Sequence, residues 1–390
     1  MAAAHRAYAA SFARPAPAPF ANVPDPDRRL RIGMLFGDFR QHPVGYFLEA
    51  AITAHQRAGF HLTAHDVGKR TDATTARLRG VCDAWHSVGT LEDEVIVAQI
   101  RADGIDILVD LTGHTETSRI SVMEYRPAPV QVSWIGYANT NGVAIMDWII
   151  ADAVVLPTED EALYIEKPLR LPGCYLCYTP PREAVAPSPP SVLRQGLVTF
   201  GCFNNLAKIN EQFLAAWAAI LKRLPEARLL LKTAVLGEAA TAQKLRARFA
   251  ATGGDVARLD LEGYSPRVTC FAHYTALHFV LDPFPFPGGT TTPEAIHAGV
   301  PPLTRRERGG MVSRNGETLL SVVGLQDWIG ADTADYIEKA VAFARDGERL
   351  ATIRARPSLG PLSDAGTYAR GLETALRRIW RNWCARQGAG

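Results

Sequence analysis

Short apolar runs alternate with longer segments whose apolar residues recur at helical spacing, and the alternation is repeated on both sides of a proline-rich stretch. Strands that recur after each helix pair in parallel through helical crossovers, so the chain is expected to be α/β. In the first half RRLRIGMLF, FHLTAHDVG, IDILVDLTG, VQVSWIGY and DWIIAD read as strands. HPVGYFLEAAITAHQRAG, TDATTARLRGVCDAWHSV and EDEVIVAQIRADG read as helices. In the second half LVTFGCFNN, ARLLLKT, ARLDLEGY, Phe279–Leu281 and VPPLT read as strands, separated by amphipathic helical segments. Parallel sheets of this kind carry ligands beyond the carboxyl ends of their strands.

The segment 179–196, TPPREAVAPSPPSVLRQG, carries five prolines and no periodicity, and reads as a linker. The expected division is an N-terminal helix remnant and extended linker over 1–27, a first Rossmann-like domain over 28–178, the linker over 179–196, a second Rossmann-like domain over 197–345, and C-terminal helices over 346–390.

At 390 residues the chain is long enough for two domains of ordinary size. A hydrophobic fraction of 47% with 21% charged residues is that of a soluble globular protein. The 42 basic and 40 acidic residues nearly cancel, which gives no electrostatic reason to expect nucleic acid or a membrane as partner. No apolar run approaches the ~20 residues of a membrane span, and the first residues show no secretory h-region with a cleavage site. A cytoplasmic enzyme is the simplest class. Six cysteines do not make a disulfide scaffold. Cys174 and Cys177 form a lone CxxC without two further ligands at similar spacing, so no metal is expected there, and the alternating aromatics around them suggest a strand.

The segment 281–300, LDPFPFPGGTTTPEAIHAGV, is the most informative stretch. It reads as a strand end, a Pro/Gly turn, three threonines and a helix start, with Thr292 at the N-cap and Pro293 in the first helical position. Gly288 and Gly289 let a ligand approach the backbone, while Thr290, Thr291 and the helix N-terminus form an anion site. Glu294 suits ribose hydroxyls. The same pattern also describes an ordinary capped strand-to-helix turn. Lys208, in the loop after LVTFGCFNN, is either an exposed loop lysine or a point charge for a diphosphate. His42 and His114 follow two first-half strands and are candidates for a general base or a sugar-hydroxyl ligand, or simply bond their own loops. Asp38 either orients His42 or caps the following helix.

Five segments together resemble one family. YRPAPVQVSWIGYANTNGVAIMDWIIAD, DFRQHPVGYFLE, ILVDLTGHT, VTFGCFNNLAKIN and LDPFPFPGGTTTPEAIHAGVP are similar, in the same order, to segments of the O-linked N-acetylglucosaminyltransferases and SPINDLY-like proteins of glycosyltransferase family 41. The resemblance covers roughly residues 29–383. It implies a GT-B fold of two facing Rossmann-like domains with the active site in the cleft. It further implies inverting, metal-independent transfer of a sugar, GlcNAc first, from a UDP-sugar to Ser/Thr hydroxyls of a protein acceptor, with no cofactor. By matched position it places Lys208 and Asn205 at the diphosphate, Gly289, Thr290 and Thr291 on phosphate oxygens, Glu294 on the ribose, and Arg267 beside the uracil. His42 matches the family's active-site histidine, and Ile135 and Gly136, with His114, lie in the sugar and acceptor vicinity. The sequence departs from the family pattern in two places: Cys270 stands where histidine often stacks near uracil, and GYANT replaces GYPGT. The second change leaves UDP-glucose open as donor, with asparagine or a glycan as acceptor, and an inactive GT-B scaffold is the alternative outside enzymes. No tetratricopeptide period is found, so acceptor docking is expected through upstream repeats or another chain.

Overall fold

The computed structural model describes residues 2–12, 19–181, 198–355 and 359–388. The proline-rich linker therefore lies outside the described residues from position 182 onward. The chain divides into two compact units, Met1–Thr179 with Ser363–Gly390, and Pro180–Leu362. Among the described residues no helix is long and apolar enough to cross a membrane.

The first unit is built on seven parallel strands: β1 (Leu30–Phe36), β2 (Phe60–Asp66), β3 (Ala84–Ser87), β4 (Ile107–Asp110), β5 (Val130–Ser133), β6 (Trp148–Ala151) and β7 (Lys167–Arg170). Their order is β3-β2-β1-β4-β5-β6-β7. β4 and β5 are buried along their whole length, as expected of strands covered by helices on both faces. The second unit repeats the winding with β8 (Thr199–Cys202), β9 (Arg228–Lys232), β10 (Leu259–Glu262), β11 (Phe279–Leu281), β12 (Pro302–Arg305) and β13 (Ile329–Gly330), in the order β10-β9-β8-β11-β12-β13. Both are the doubly wound arrangement, in which the winding direction reverses between two neighbouring strands. Here the reversals fall between β1 and β4, and between β8 and β11. The loops leaving those four strands are where such a sheet can hold a ligand.

Four local expectations are corrected. CDAWHSV is not a continuation of the preceding helix: that helix ends at Val81, and Ala84–Ser87 pairs with Thr63–Asp66 of β2. Backbone pairing with an open sheet edge overrides a weak helical period. GCYLCYTPP makes no strand; it lies across the first unit, where Tyr175 and Tyr178 are buried and the Tyr175 carbonyl accepts from Trp134 and Tyr368. β7 and β13, which the pattern did not reveal, are edge strands too short to show a period. The segment 346–390 is divided. The helix Gly347–Arg354 stays with the second unit, where Arg354 donates to the His278 carbonyl at 3.0 Å. The helix Ala365–Gln387 returns to the first, burying Leu372, Leu376, Ile379, Trp380 and Trp383. Its Glu373 accepts from the Gln56 N–H at 2.6 Å, and Trp380 Nε1 donates to the Asp25 carbonyl at 2.9 Å. Helical periodicity identifies an apolar face but not the sheet it will cover.

Candidate functional site

In the second unit the loop after β8 and the loop after β11 converge on one buried carboxylate. Asp282, directly after β11, is 1% exposed. Its Oδ1 accepts from the Gly288 N–H at 2.8 Å and from Asn204 Nδ2 at 3.3 Å, and its Oδ2 from Thr304 Oγ1 at 3.2 Å. Burial pushes this carboxyl up to about 6, against the pull of its donors and of Lys208. Lys208 closes the short turn Leu206–Lys208 after β8. Its Nζ donates to the Pro287 carbonyl at 2.8 Å and to Asn204 Oδ1 at 3.3 Å, and sits 4.0 Å from the centre of the Phe286 ring. Burial holds the ammonium below the ordinary lysine value, and the Asp282 charge opposes that shift. Asn204 Oδ1 also accepts from Thr291 Oγ1 at 3.2 Å. Lysine, glycine loop and threonine are thus brought into one network by Asn204 and Asp282.

The helix at this site starts earlier than its composition suggests. It spans Thr291–His297, with Thr290 in the cap position making no side-chain cap bond. Pro293 falls in the first turn, where a missing N–H costs no hydrogen bond. With only 7 residues the helix contributes a modest dipole, so Lys208 is the main positive charge. Gly288 is demanded by space: a Cβ there would stand 2.5 Å from both Thr291 Oγ1 and Thr292 Oγ1. Gly289 is half-buried and uncrowded, the nearest atom to its Cβ position being Asn315 Nδ2 at 3.7 Å.

Arg267 opens the helix Arg267–Thr275, and its Nε donates to Glu294 Oε1 at 3.1 Å. Burial raises the Glu294 carboxyl above its ordinary value and Arg267 counteracts this. Cys270 packs against the cluster of Phe203, Phe271 and Tyr274, and burial pushes its thiol up to about 11, so it is neutral at physiological pH. Asn205 is exposed and caps its own turn, accepting from the Ala207 N–H at 2.9 Å. The neighbour Asn204 takes the interior position. In an Asn-Asn pair the sequence offers no signal for which one faces inward. Asp282 was missed as well, although an acid ending an apolar strand before a glycine loop is a legible sign.

In the first unit the corresponding loops follow β1, β4 and β5. His42 is itself the N-cap of helix Pro43–Thr53: its Nδ1 accepts from the Val44 N–H at 3.3 Å, and its Nε2 lies 3.8 Å from Asp38 Oδ2. Asp38 therefore does not cap; it pairs with Arg40 at 2.7 Å and faces the imidazole. Burial lowers the His42 pKa, Asp38 opposing, so the ring is neutral near pH 7 and carries its proton on Nε2. After β4, Asp110 accepts from the Thr112 N–H at 3.0 Å and the Gly113 N–H at 3.0 Å, and burial pushes it up to about 6. His114 places Nε2 2.7 Å from the Asn141 carbonyl and stacks on His5 at 4.6 Å. After β5, Ile135 is held at φ 67, an unfavourable conformation for a β-branched residue. Gly136 follows because a Cβ would lie 2.0 Å from the Leu111 carbonyl oxygen. His114, Ile135 and Gly136 thus belong to adjoining loops at the same sheet edge.

Residues 14–178 and 189–362 match the model of glycosyl transferase family 41. The chain belongs to that family. Family 41 relatives include the probable UDP-N-acetylglucosamine–peptide N-acetylglucosaminyltransferases SPINDLY of Arabidopsis thaliana, 36% identical over 98% of this chain and 43% of the relative, and of Petunia hybrida, 35% identical over 93% and 40%. The chain spans about two-fifths of the length of these relatives. A solved O-GlcNAc transferase mutant from Thermobaculum terrenum is similar over all of this chain and 75% of its own, with 38% identity and a TM-score of 0.94. The α/β fold of two Rossmann-like domains is accordingly the GT-B fold of this family.

Proposed function

We propose that the chain transfers N-acetylglucosamine from UDP-GlcNAc to serine or threonine hydroxyls of a protein acceptor, with inversion and without a metal. The observation that carries this reading is the Lys208–Asn204–Asp282 network over the Gly288–Thr291 loop. When the glycosidic bond breaks, negative charge develops on the leaving diphosphate. A half-buried ammonium fixed by two hydrogen bonds, beside glycine N–H groups and threonine hydroxyls, stabilises that charge without rearranging. Glu294, one helical turn beyond Thr291, and its partner Arg267 lie where the nucleoside of the same donor would rest, with Glu294 accepting from ribose hydroxyls.

Release of UDP from UDP-GlcNAc and from UDP-glucose, measured on the wild type and on Lys208→Ala, tests the reading. Turnover with UDP-GlcNAc that falls about 10²–10³-fold in the variant supports it, the range seen when one charge-stabilising donor is lost. Preference for UDP-glucose would move the donor assignment to the Ala138-Asn139 loop, and absence of UDP binding would overturn the reading. Sugar removed from the acceptor by mild base marks a hydroxyl linkage; sugar that survives base marks asparagine.

A further inference from the structure

β2 and β3 form one edge of the first sheet, on the far side of β1 from β4. His65 of β2 is in register with His86 of β3, so both side chains leave the same face of the sheet. Their rings stack with centroids 5.5 Å apart. Asp103, the residue after the helix Asp93–Ala102, sends Oδ2 to 2.9 Å from His65 Nε2 and 3.2 Å from His86 Nε2. Among the described residues this is the one group of three His, Cys, Asp or Glu side chains whose ligand atoms all lie within 4.8 Å of one another.

A neutral histidine has one N–H to donate, and a single carboxylate oxygen can accept two such bonds. Two imidazole nitrogens converging on one carboxylate oxygen are equally the ligand set of a borderline divalent cation. Around a tetrahedral zinc ion with bonds of ~2.0–2.1 Å, neighbouring ligand atoms stand about 3.3 Å apart. The two observed separations are within a few tenths of an ångström of that edge. The supporting contacts fit as well. Gln99 Nε2 donates to Asp103 Oδ1 at 2.9 Å and so aims the other oxygen at the histidines. His65 is fully buried, and its Nδ1 has no hydrogen-bond partner. Moving its proton to Nδ1 frees the Nε2 lone pair for a metal and breaks no bond at Nδ1, the Nε2 contact to Asp103 being replaced by shared ligation of the ion. His86 and Asp103 keep 32% and 17% of their side-chain surface, which leaves a path for water as a fourth ligand. Three groups flank the site: Arg31, which donates to the Asp103 carbonyl at 2.6 Å, and His61 and Asp83, which lie 3.8 Å from each other.

We propose that His65, His86 and Asp103 form a zinc-class divalent cation site that clips the β2–β3 edge to the helix Asp93–Ala102, apart from the sugar-transfer site. The test uses the full chain after treatment with a chelator. Zinc is titrated by calorimetry and by thermal unfolding, and cobalt by its visible absorption, on the wild type, His86→Ala, Asp103→Asn and the control His61→Ala. The expected result is one ion per chain, a higher unfolding temperature with zinc, and the strong visible bands of four-coordinate cobalt without a thiolate charge-transfer band. His86→Ala and Asp103→Asn should each weaken binding by more than about tenfold, since even supporting contacts to metal ligands carry about 10–100-fold. His61→Ala should bind as the wild type does. Asp103→Asn keeps the shape of the side chain, so it remains informative if His86→Ala fails to fold. Absence of zinc binding, binding retained in both variants, or a thiolate band would each overturn the site.

Discussion

Asp282 Oδ1 accepts the Gly288 N–H at 2.8 Å, and Asp110 Oδ2 accepts the Gly113 N–H at 3.0 Å. Asp110 closes β4 and Asp282 directly follows β11, strands at which the two sheets reverse winding, and each is buried. The two units therefore fix their ligand-side loops by the same device, a carboxylate that gathers the N–H groups of a glycine turn. Asp282→Ala would leave the Gly288 N–H, Asn204 Nδ2 and the Thr304 hydroxyl short of an acceptor. At about 1–3 kcal/mol per orphaned buried group, the expected loss of stability is at least about 3 kcal/mol in chemical denaturation. Asp282→Asn keeps an acceptor for Gly288 and should lose much less.

The two glycines of the loop should respond oppositely to a methyl group. Gly288→Ala forces a Cβ against two threonine hydroxyls and Asp282 Oδ1, the last at 2.9 Å. It should cost about 1–3 kcal/mol, the usual range for overpacking. Gly289→Ala meets only an ordinary contact and should stay within about 0.5 kcal/mol of the wild type, as surface changes do. Thermal unfolding of the pair decides it, and equal effects would refute the steric assignment.

Acid should destabilise the second unit through His278. Burial, with Arg354 nearby, lowers this imidazole from 6.5 to about 4, and its Nδ1 accepts the Thr199 N–H at 3.1 Å. The folded pKa lies below the unfolded one, so the unfolded chain binds the extra proton between them. The stability is present above pH 6.5 and is lost as the pH falls through about 4. At 1.36 kcal/mol per unit the loss is at most roughly 3 kcal/mol. His278→Asn supplies Oδ1 in place of Nδ1 without titrating, and should remove this rise in stability between pH 4 and 6.5. An unchanged slope in that variant would remove His278 from the account. Asp282 acts with the reverse sign: its carboxyl is raised, so its contribution falls as the pH rises from 3.8 through about 6.

His42 has a structural duty that can be separated from any chemical one. As an N-cap it contributes on the order of 1 kcal/mol, which His42→Ala should lose and His42→Asn should retain. Turnover measured on His42→Asn then reports the imidazole alone. If His42→Asn is as unstable as His42→Ala, the capping role fails.

The α/β class and the two Rossmann-like units are legible in the chain alone, because strand and helix periods are local and glycine-rich turns mark strand ends. The same pattern puts His42 and Lys208 in loops after apolar runs, and Thr291 and Glu294 at the start of the helix that follows Phe279–Leu281. That Asn204 rather than Asn205 faces the lysine, and that Asp110 and Asp282 organise the loops, emerges only once the chain is folded. Those roles depend on which side chain a turn points inward, and no period records that. The same holds for the helix Ala365–Gln387, whose apolar stripe was plain but whose partner sheet lay more than 300 residues earlier in places, as the contact from Gln56 to Glu373 shows. It holds again for His65, His86 and Asp103, three unremarkable residues in the chain that strand register and a helix end bring onto one face of the sheet.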